Sequence, residues 1–465
     1  MIRMDMRTVA EITGGYLMQN GASVEFQGIS TDSRTLQPGD LFIPLRGETF
    51  DGHDYLTQAI QRGAAACLSE EMLGGLRVPV VKVNDTLKAL GDLATAMRRK
   101  FAGPVIGITG TSGKTTTKEM LAAILNHLGP GLKSAGNFNN LIGVPLTLFG
   151  LQPEHRWAVI EMGMSARGEI ARLAEIAMPN IGLITNIGAG HLQNFESISG
   201  VARAKGELFI SLPTDGIALI NADDPEVCTL PVANGVRKVL FGTGSEAAVR
   251  AGRIAVHNGS VSFDLEVEGA VQRVVLPLPG RHNVLNALGA AAAATVLGVG
   301  LAGIAAGLQA FQPCPGRMEL LELPGNIVVL EDSYNANPLS VHAALVALHD
   351  LGTPGQRIAV LGDMLELGQS APELHHQIGI LAATRVDRLF TYGTLAEEIA
   401  HGAKDAGLPA EKIFVAKSHE ELVGRLLDVL KSGDRVLIKG SRGMRMEKVT
   451  TALRAAKPKA AANGN

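Results

Sequence analysis

Cysteine is scarce in this chain of 465 residues. Cys67, Cys228 and Cys314 are far apart in the sequence, and none of them belongs to a C-x-x-C pair. An odd number of isolated cysteines predicts neither a disulfide framework nor a zinc site. The pattern instead indicates reduced thiols in a reducing compartment.

The chain also lacks a strong net charge and a secretion signal. Its 42 Lys and Arg residues and 45 Asp and Glu residues give a formal net charge of −3. Electrostatics therefore gives no reason to expect nucleic acid or an anionic membrane as a partner. The opening segment, MIRMDMRTVAEITGG, carries charges where a signal peptide needs an apolar core. We expect a cytoplasmic protein whose function resides in local sites.

Charge is missing altogether from residues 283–316. A stretch of this length is long enough to span a membrane. Its apolar content, however, is mostly alanine and glycine, and Gly298-Val-Gly-Leu301 interrupts it like a turn. Small residues let helices pack closely in a soluble core. The composition therefore favours a pair of buried helices over a membrane span.

What is present is a glycine-rich stretch at 107–117, GITGTSGKTTT. It follows an apolar run at 104–109 that is typical of a buried strand. It precedes residues 118–128, whose apolar side chains fall on one helical face. A glycine loop between a strand and a helix predicts the binding of nucleotide phosphates. A glycine-rich turn that carries a surface lysine is the alternative.

The residue types of this loop suit a nucleoside triphosphate. Gly110 and Gly113 would let backbone N–H groups converge on phosphate oxygens at the N-terminus of the following helix. Lys114 would reach the β- and γ-phosphates, and the Thr115 hydroxyl would ligate Mg²⁺. Ile108 stands where the common G-x-x-x-x-G-K-[ST] spacing has a glycine.

The length predicts about three domains in an α/β protein. We expect a small N-terminal α/β domain over 1–102 and a central P-loop ATPase-type α/β domain over 103–314. Residues 315–455 repeat a strand–helix rhythm, which predicts a doubly wound, Rossmann-like third domain. Its strands are expected at 327–330, 357–361, 388–392, 412–415 and 435–438. The tail, 456–465, is expected to be disordered.

Polar side chains follow predicted strands of the central domain. Glu161 ends one buried strand, and His191 comes just past the end of the next. Open parallel sheets bind ligands at this edge, so Glu161 is a candidate metal ligand, and His191 is expected to share the edge with Thr115. Taken alone, Lys205 is typical of a solvated lysine on a helix surface.

Other polar clusters have two possible meanings. The T-D-S-R cluster at 31–34 suits a phosphorylated or sugar-bearing ligand, but it also makes a good polar turn. The asparagines at 137–140 can bind a polar ligand or satisfy their own backbone. The segments 332–338, DSYNANP, and 439–442, KGSR, lie at predicted strand ends in the third domain.

A family resemblance rests on motifs that occur in order along nearly the whole chain. They are GTSGKTTT, NFNNLIGVP, IEMG, the histidine after GAG, ARAKGELF, GRHNVLNAL, DSYNANP and KGSR. Together they resemble the Mur ligases of bacterial cell-wall synthesis. The resemblance implies an ADP-forming ligase that transfers the ATP γ-phosphate to a peptide carboxylate, whose acyl phosphate an amine then attacks. Within the family, the chain is most similar to the branch that adds D-alanyl-D-alanine to UDP-N-acetylmuramoyl-tripeptide.

The resemblance also implies roles for individual residues. ATP would be bound by Gly110, Thr111, Ser112, Gly113, Lys114, Thr115, Thr116, Asn283, Asn286, Arg317 and Asp332. The catalytic residues would be Lys114, Glu161, His191 and Lys205. Mg²⁺ would be held by Thr115, Glu161, His191 and Lys205, the lysine as a carbamate formed with CO₂. A protonated lysine would be repelled by Mg²⁺, whereas a carbamate is an anionic oxygen ligand.

The substrates implied by the resemblance divide among the domains. The UDP-sugar would be recognised by Thr31, Asp32, Ser33 and Arg34 of the N-terminal domain. The muramoyl-peptide would face Asn137, Asn139 and Asn140. D-alanyl-D-alanine would lie against Tyr334, Asn335, Asn337, Ser441 and Arg442. Because the third domain must close to complete such a site, we expect a hinge motion in a protein that acts as a monomer.

Three alternatives and two departures accompany this interpretation. The alternatives are the preceding Mur ligase, which adds the third amino acid, a folate-polyglutamate type ligase, and a P-loop binding module without ligase activity. The chain has no N-K-x-D motif of guanine recognition. Ser165-Ala-Arg167 replaces the more polar run expected there. His375 and His376 point in different helical directions, and we expect them at the surface without a metal role.

Overall fold

The structure is a computed structural model that describes residues 4–18, 21–72, 75–257 and 259–456. The tail at 456–465 was expected to be disordered, and from residue 457 onward it lies outside the described residues. The described residues form three consecutive α/β units, each built on its own main sheet. The α/β fold class is confirmed, whereas the domain limits given above stay predictions.

The first unit combines short strands with helices. Its strands are β1 (Met4–Asp5), β2 (Tyr16–Leu17), β3 (Glu25–Phe26), β4 (Gly28–Ser30), β5 (Asp40–Phe42), β6 (Ala66–Ser69) and β7 (Val80–Lys82). Its helices are α1 (Met6–Thr13), α2 (Leu56–Gln61) and α3 (Thr86–Arg98). The main sheet has the order β2-β7-β6-β5-β4, parallel except for β2. The side chain of Asp5 caps α1 by accepting a hydrogen bond from the Thr8 N–H.

The central unit is built on one long mixed sheet. Its strands are β8 (Val105–Thr109), β9 (Leu132–Lys133), β10 (Ala158–Glu161), β11 (Ile181–Ile184), β12 (Ile217–Asn221), β13 (Arg237–Gly242), β14 (Val249–His257), β15 (Ser260–Val267) and β16 (Ala270–Leu276). Its helices are α4 (Lys114–Leu125), α5 (Gly143–Leu148), α6 (Glu169–Ala177), α7 (Leu192–Phe195), α8 (Ile198–Ile210), α9 (Pro225–Cys228), α10 (His282–Val296) and α11 (Leu301–Ala310).

The strand order of this sheet places a ligand crevice beside β8. The order is β16-β15-β14-β13-β12-β11-β8-β10-β9, in which β14 to β16 are antiparallel and the remaining pairs are parallel. The chain leaves β8 to one side for β10 and returns on the other side for β11. Such a switch point opens a crevice at the carboxyl ends of the strands.

The uncharged stretch forms the helix pair α10 and α11, as its composition predicted. Both helices pack on α4, and the alanines from Ala290 to Ala294 are completely buried. The approach to α4 is close, since a Cβ atom at Gly307 would lie 2.5 Å from the Ile124 Cα. No helix in the described residues is both long and apolar enough for a membrane crossing.

The third unit is the doubly wound sheet that the strand–helix rhythm predicted. Its strands are β17 (Glu319–Leu323), β18 (Ile327–Asp332), β19 (Arg357–Gly362), β20 (Arg388–Tyr392), β21 (Ile413–Ala416) and β22 (Arg435–Lys439). Its helices are α12 (Pro338–Asp350), α13 (Ala371–Ala383), α14 (Ala396–Asp405), α15 (His419–Val429) and α16 (Glu447–Ala455). The order is β17-β18-β22-β19-β20-β21, and only β17 is antiparallel to its neighbour.

Two features of the third unit differ from expectation. The edge strand β17 was not predicted, because its sequence ELLEL has no regular alternation and pairing with β18 defines it. The surface position expected for His375 is wrong. His375 is buried, its Nδ1 donates to the Ala371 carbonyl at 2.6 Å, and its Nε2 accepts from the Met364 N–H at 2.9 Å. These bonds hold the loop after β19 against α13.

The third unit lies directly against the glycine loop of the central unit. Asn337 Nδ2 donates to Ser112 Oγ at 3.1 Å. The Gln193 N–H donates to the Glu366 carbonyl at 3.1 Å. The two units therefore enclose a common space at the carboxyl ends of their strands.

Candidate active site

A cavity of about 860 Å³ occupies the junction of the central and third units, and Leu87 of the first unit reaches its wall. Most of the site residues predicted from the sequence meet here. They are Thr111, Ser112, Gly113, Lys114, Thr115, Thr116, Asn137, Asn139, Asn140, Glu161, His191, Asn283, Asn286, Arg317, Asp332, Tyr334, Asn335 and Asn337. The structure thus collects residues that are more than two hundred positions apart in the chain.

Other predicted residues lie outside this wall, namely Gly110, Lys205, Thr31, Asp32, Ser33, Arg34, Ser441 and Arg442. The Thr31–Arg34 cluster lies in the first unit. There Arg34 pairs with Asp32 at 2.7 Å and holds the pKa of that carboxyl at about 2, while the Ser33 hydroxyl donates to Gln58. Ser441 is buried, and its hydroxyl accepts from the Leu365 N–H at 2.8 Å. The substrate roles of these residues stay predictions.

The glycine loop has a backbone that requires glycine. Gly110 has a φ of 150°, and a Cβ atom there would lie 1.9 Å from Thr185 Oγ1. Gly113 has a φ of 82°, and a Cβ atom there would lie 2.2 Å from Asn286 Oδ1. Side chains are therefore excluded by conformation and by close approach. The amide of Asn286 in turn donates to Asn283 Oδ1 at 3.0 Å, so α10 supports the loop from behind.

The loop presents positive potential to the cavity. Helix α4 begins at Lys114, and the N–H groups of its first turn have no partner within the helix. Lys114 Nζ folds back to donate to the Gly110 carbonyl at 2.8 Å. Burial lowers the pKa of Lys114, the nearby Arg317 charge lowers it further, and Glu161 raises it. Ammonium groups and free helix N–H groups together make an anion site.

Glu161 lies at the centre of the polar wall and is only 2% exposed. Its Oε2 accepts from the Thr115 hydroxyl at 2.8 Å, and its Oε1 accepts from Asn139 Nδ2 at 2.9 Å. Burial alone would raise the pKa of this carboxyl, but the charges of Lys118 and Lys114 and these hydrogen bonds lower it. Glu161 is therefore an ionised carboxylate beside a hydroxyl oxygen.

This donor set suits Mg²⁺. The ion prefers oxygen ligands and is commonly held by one or two carboxylates, substrate phosphates and water. Within the described ranges, no three His, Cys, Asp or Glu side chains come together as a metal site. The Thr115 and Glu161 oxygens alone therefore offer a partial coordination shell, which bound phosphates would complete.

Two buried lysines of the site were not predicted from the sequence. Lys118 is 0% exposed and lies behind the wall, with its Nζ 3.4 Å from Glu161 Oε2. Its position one helical turn after Lys114 was the available signal. Lys439 lines the cavity, pairs with the Asp332 carboxylate and donates to the Asn335 carbonyl at 2.9 Å. Lys439 belongs to the KGSR segment, which the sequence correctly placed at the end of a strand, here β22.

His191 joins the central unit to the third. It has a φ of 58°, and its Nδ1 lies 2.6 Å from Glu366 Oε2. The hydrogen bond from His191 lowers the pKa of Glu366. His191 does share the cavity wall with Thr115, as expected, but its imidazole is engaged by a carboxylate of the third unit. Its role as a metal ligand stays a prediction.

Lys205 is buried, so its interpretation as a solvated surface lysine is wrong. It is 1% exposed on the inner face of α8. Burial lowers the pKa of Lys205 well below its usual value, and the Lys114 charge lowers it further. Both effects disfavour the protonated form of this amine.

The third unit contributes charged and aromatic groups to the opposite wall. The Arg317 guanidinium lies 3.9 Å from the ring centroid of Tyr334, which orients both side chains. Asp332 Oδ1 accepts from the Met318 N–H at 3.2 Å. These contacts place a cation and a carboxylate across the cavity from the glycine loop.

His282, at the start of α10, should make the free energy of unfolding depend on pH. Burial lowers the pKa of His282 from 6.5 to about 4, so this group stays neutral in the folded protein. As the pH falls below 6.5, the unfolded chain binds a proton that the folded chain does not, and stability is lost down to about pH 4. We expect His282→Gln to remove about 1–2 kcal/mol of the stability difference between neutral pH and about pH 5.

Urea unfolding at the two pH values measures this difference. His401→Gln is the matched control, because His401 is exposed. An equal pH dependence in the wild type and in His282→Gln would show that His282 does not carry the effect.

Comparisons with known proteins agree with this geometry. Three family models match consecutive parts of the chain: Mur ligase family, catalytic domain, at 25–98; Mur ligase middle domain at 108–294; and Mur ligase, glutamate ligase domain, at 316–442. The middle model includes the glycine loop from Ile108 onward, and the third includes the residues from Arg317 to Lys439 that line the opposite wall.

Individual relatives match over almost their full length. The UDP-N-acetylmuramoyl-tripeptide–D-alanyl-D-alanine ligase of Escherichia coli is 39% identical over 97% of this chain and 99% of the relative. A crystal structure of MurF from Acinetobacter baumannii superposes with a TM-score of 0.91 at 33% identity, covering 98% of this chain and 99% of that one. The structure of MurF ligase from Thermotoga maritima in complex with ADP superposes with a TM-score of 0.82 at 28% identity, covering 92% of this chain and 97% of that one. This agreement in sequence, domain order and fold shows that the chain belongs to the Mur ligase family.

Proposed function

We propose that this chain is an ADP-forming ligase that adds D-alanyl-D-alanine to UDP-N-acetylmuramoyl-tripeptide. The observation that carries the proposal is the cavity, in which a phosphate-binding loop faces a second wall from a separate unit. Relatives that match along the whole chain bear the name of this activity. The product would be a peptidoglycan precursor, made in the cytoplasm by a monomer and needed for cell shape and division.

The electrostatics of the wall suit the first step of such a reaction. A peptide carboxylate must approach the γ-phosphate of ATP, and both groups are anions. Lys114, the N-terminus of α4 and Arg317 supply positive charge where negative charge accumulates. Mg²⁺ held by Thr115 and Glu161 would neutralise charge on the phosphates. Asn283, Asn286 and Asp332, which line the same cavity, would contact the rest of the nucleotide.

Lys205 is proposed to act as a carbamate. Its neutral amine can attack CO₂, which forms an N–C bond and releases a proton. The product is an anion that extends the side chain toward the phosphate-binding wall. Proximity to the Lys114 charge favours this anion.

The acceptor substrates are assigned to the remaining walls. Asn137, Asn139 and Asn140 would face the muramoyl-peptide, and Tyr334, Asn335 and Asn337 would face D-alanyl-D-alanine. The Thr31–Arg34 cluster would bind the UDP-sugar at a distance from the chemistry. Closure of the third unit would bring the acceptor amine to the acyl phosphate, and the contact of His191 with Glu366 would hold the two units together in that arrangement.

Phosphate release from ATP tests the proposal. The assay contains UDP-muramoyl-tripeptide and compares D-alanyl-D-alanine with diaminopimelate or lysine as the acceptor. We expect turnover with the dipeptide. Turnover only with a single amino acid would identify the preceding Mur ligase instead, and no turnover with any acceptor would favour a nucleotide-binding module without ligase activity.

A further inference from the structure

Lys118 is the most deeply buried charge near the cavity that the proposed reaction does not use. Its side chain is 0% exposed and lies in α4 one turn after Lys114, beneath the residues that line the cavity. Burying an ammonium group is costly unless it is paired and hydrogen-bonded. The partners of Lys118 therefore indicate what its charge is for.

These partners belong to segments that are separate in the chain. Lys118 Nζ donates to the Ser134 carbonyl at 2.8 Å and to the Gly136 carbonyl at 3.2 Å. It also lies 3.4 Å from Glu161 Oε2. One ammonium group thus connects the helix of the phosphate-binding loop, the turn at 134–136 and the carboxylate at the end of β10.

The turn at 134–136 leads directly into the amide-rich part of the cavity wall. Ser134 Oγ accepts from the Glu161 N–H at 3.0 Å. Gly136 has a φ of 50°, and three residues later Asn139 donates to the other oxygen of Glu161. The segment 134–140 is therefore fastened to Glu161 at both ends, and Lys118 holds the arrangement from behind.

The charge of Lys118 also balances the site. Lys118 Nζ lies between two carboxylates, 3.4 Å from Glu161 Oε2 and 3.4 Å from Glu119 Oε1, and Glu119 also pairs with the outer Lys133. Without Lys118, the buried Glu161 carboxylate would have one ammonium group fewer beside it. The carbonyls of Ser134 and Gly136 would also lose their hydrogen-bond donor.

We propose that Lys118 is a positioning residue that couples the phosphate-binding helix to the amide segment 134–140, which faces the muramoyl-peptide. The inference rests on the proposed function in one respect, namely that the substrate facing this segment is the muramoyl-peptide. Lys118 itself does not line the cavity, so it acts through Glu161 and the backbone of this segment. Its loss should impair recognition of the peptide substrate more than recognition of ATP.

The test compares Lys118→Met, which removes the charge at similar length, with Lys118→Arg, which keeps the charge and the donors. Lys118→Gln is a second neutral variant, and Lys133→Met is the control. Lys133 belongs to the same cluster but is 44% exposed and contacts Glu119 rather than Glu161. Steady-state kinetics give the KM for each substrate, and hydrogen exchange reports on the amides of 134–140 without any need for turnover.

We expect Lys118→Met to raise the KM for UDP-muramoyl-tripeptide by about tenfold or more and the KM for ATP by less than about threefold. Exchange in segment 134–140 should accelerate, while Lys118→Arg recovers most of the KM and Lys133→Met resembles the wild type. Unchanged peptide KM and exchange in a folded neutral variant would overturn the inference, and so would equal effects on both substrates. Failure of both neutral variants to fold would assign Lys118 a purely structural role. Failure of the proposed function would appear separately, as absent turnover in the wild type and in Lys133→Met.

Discussion

Replacing Lys114 with alanine is expected to lower kcat/KM for ATP by about 10²–10³-fold. The Lys114 ammonium lies at the N-terminus of α4 on the cavity wall, where it adds a full charge to the free N–H groups of the helix. Charge on the transferring phosphoryl group must be stabilised by groups already in place, because water is largely excluded from such a site. Neither Thr115 nor Arg317 can replace a charge at this position.

Release of ADP measures this effect, with Lys100→Ala as the matched control. Lys100 is an exposed lysine in the turn after α3 and lies outside the cavity. We expect the control to keep wild-type kinetics. Activity of Lys114→Ala within a few-fold of the wild type would mean that the glycine loop does not bind the reacting phosphates.

Replacing Lys205 with alanine is expected to lower kcat by about 10²-fold or more. The variant loses the anion that the proposed carbamate would place beside the phosphates. Truncation of the buried side chain also leaves an empty space next to α8. Short carboxylates such as acetate can enter that space and restore an oxygen anion, so partial recovery with added carboxylate is expected. Arg203→Ala is the control, since Arg203 lies on the same helix but is exposed.

A spectroscopic measurement separates the carbamate from a packing role of Lys205. Incubation with isotopically labelled bicarbonate should give a carbamate resonance in the wild type and in Arg203→Ala, but none in Lys205→Ala. Full activity of plain Lys205→Ala, or a wild type without the resonance, would contradict the carbamate.

The sequence predicted the parts of the site that depend on local order. A buried strand, a glycine loop and a helix are close in the chain, so Gly110, Gly113 and Lys114 could be placed from spacing alone. Glu161 could be placed because parallel strands bring their carboxyl ends to one edge. In these cases the local pattern and the tertiary arrangement require the same residues.

The features that were missed depend on packing between distant segments. Lys118 is indistinguishable by composition from a surface lysine, and only the turn at 134–136 and Glu161 make its burial favourable. Lys205 could be singled out only by family resemblance. The contact of His191 with Glu366 exists because the third unit docks on the central unit, and no periodicity encodes that docking.

The proposed acyl phosphate is tested most directly by following oxygen. UDP-muramoyl-tripeptide labelled with heavy oxygen in its terminal carboxylate is incubated with the enzyme, ATP and D-alanyl-D-alanine, and the released phosphate is analysed by mass spectrometry. Attack of the carboxylate on the γ-phosphate leaves one substrate oxygen on the phosphate when the amine displaces it. We predict one labelled oxygen in each phosphate released together with ADP and the pentapeptide product. Unlabelled phosphate, or product formed with release of AMP, would contradict this reaction.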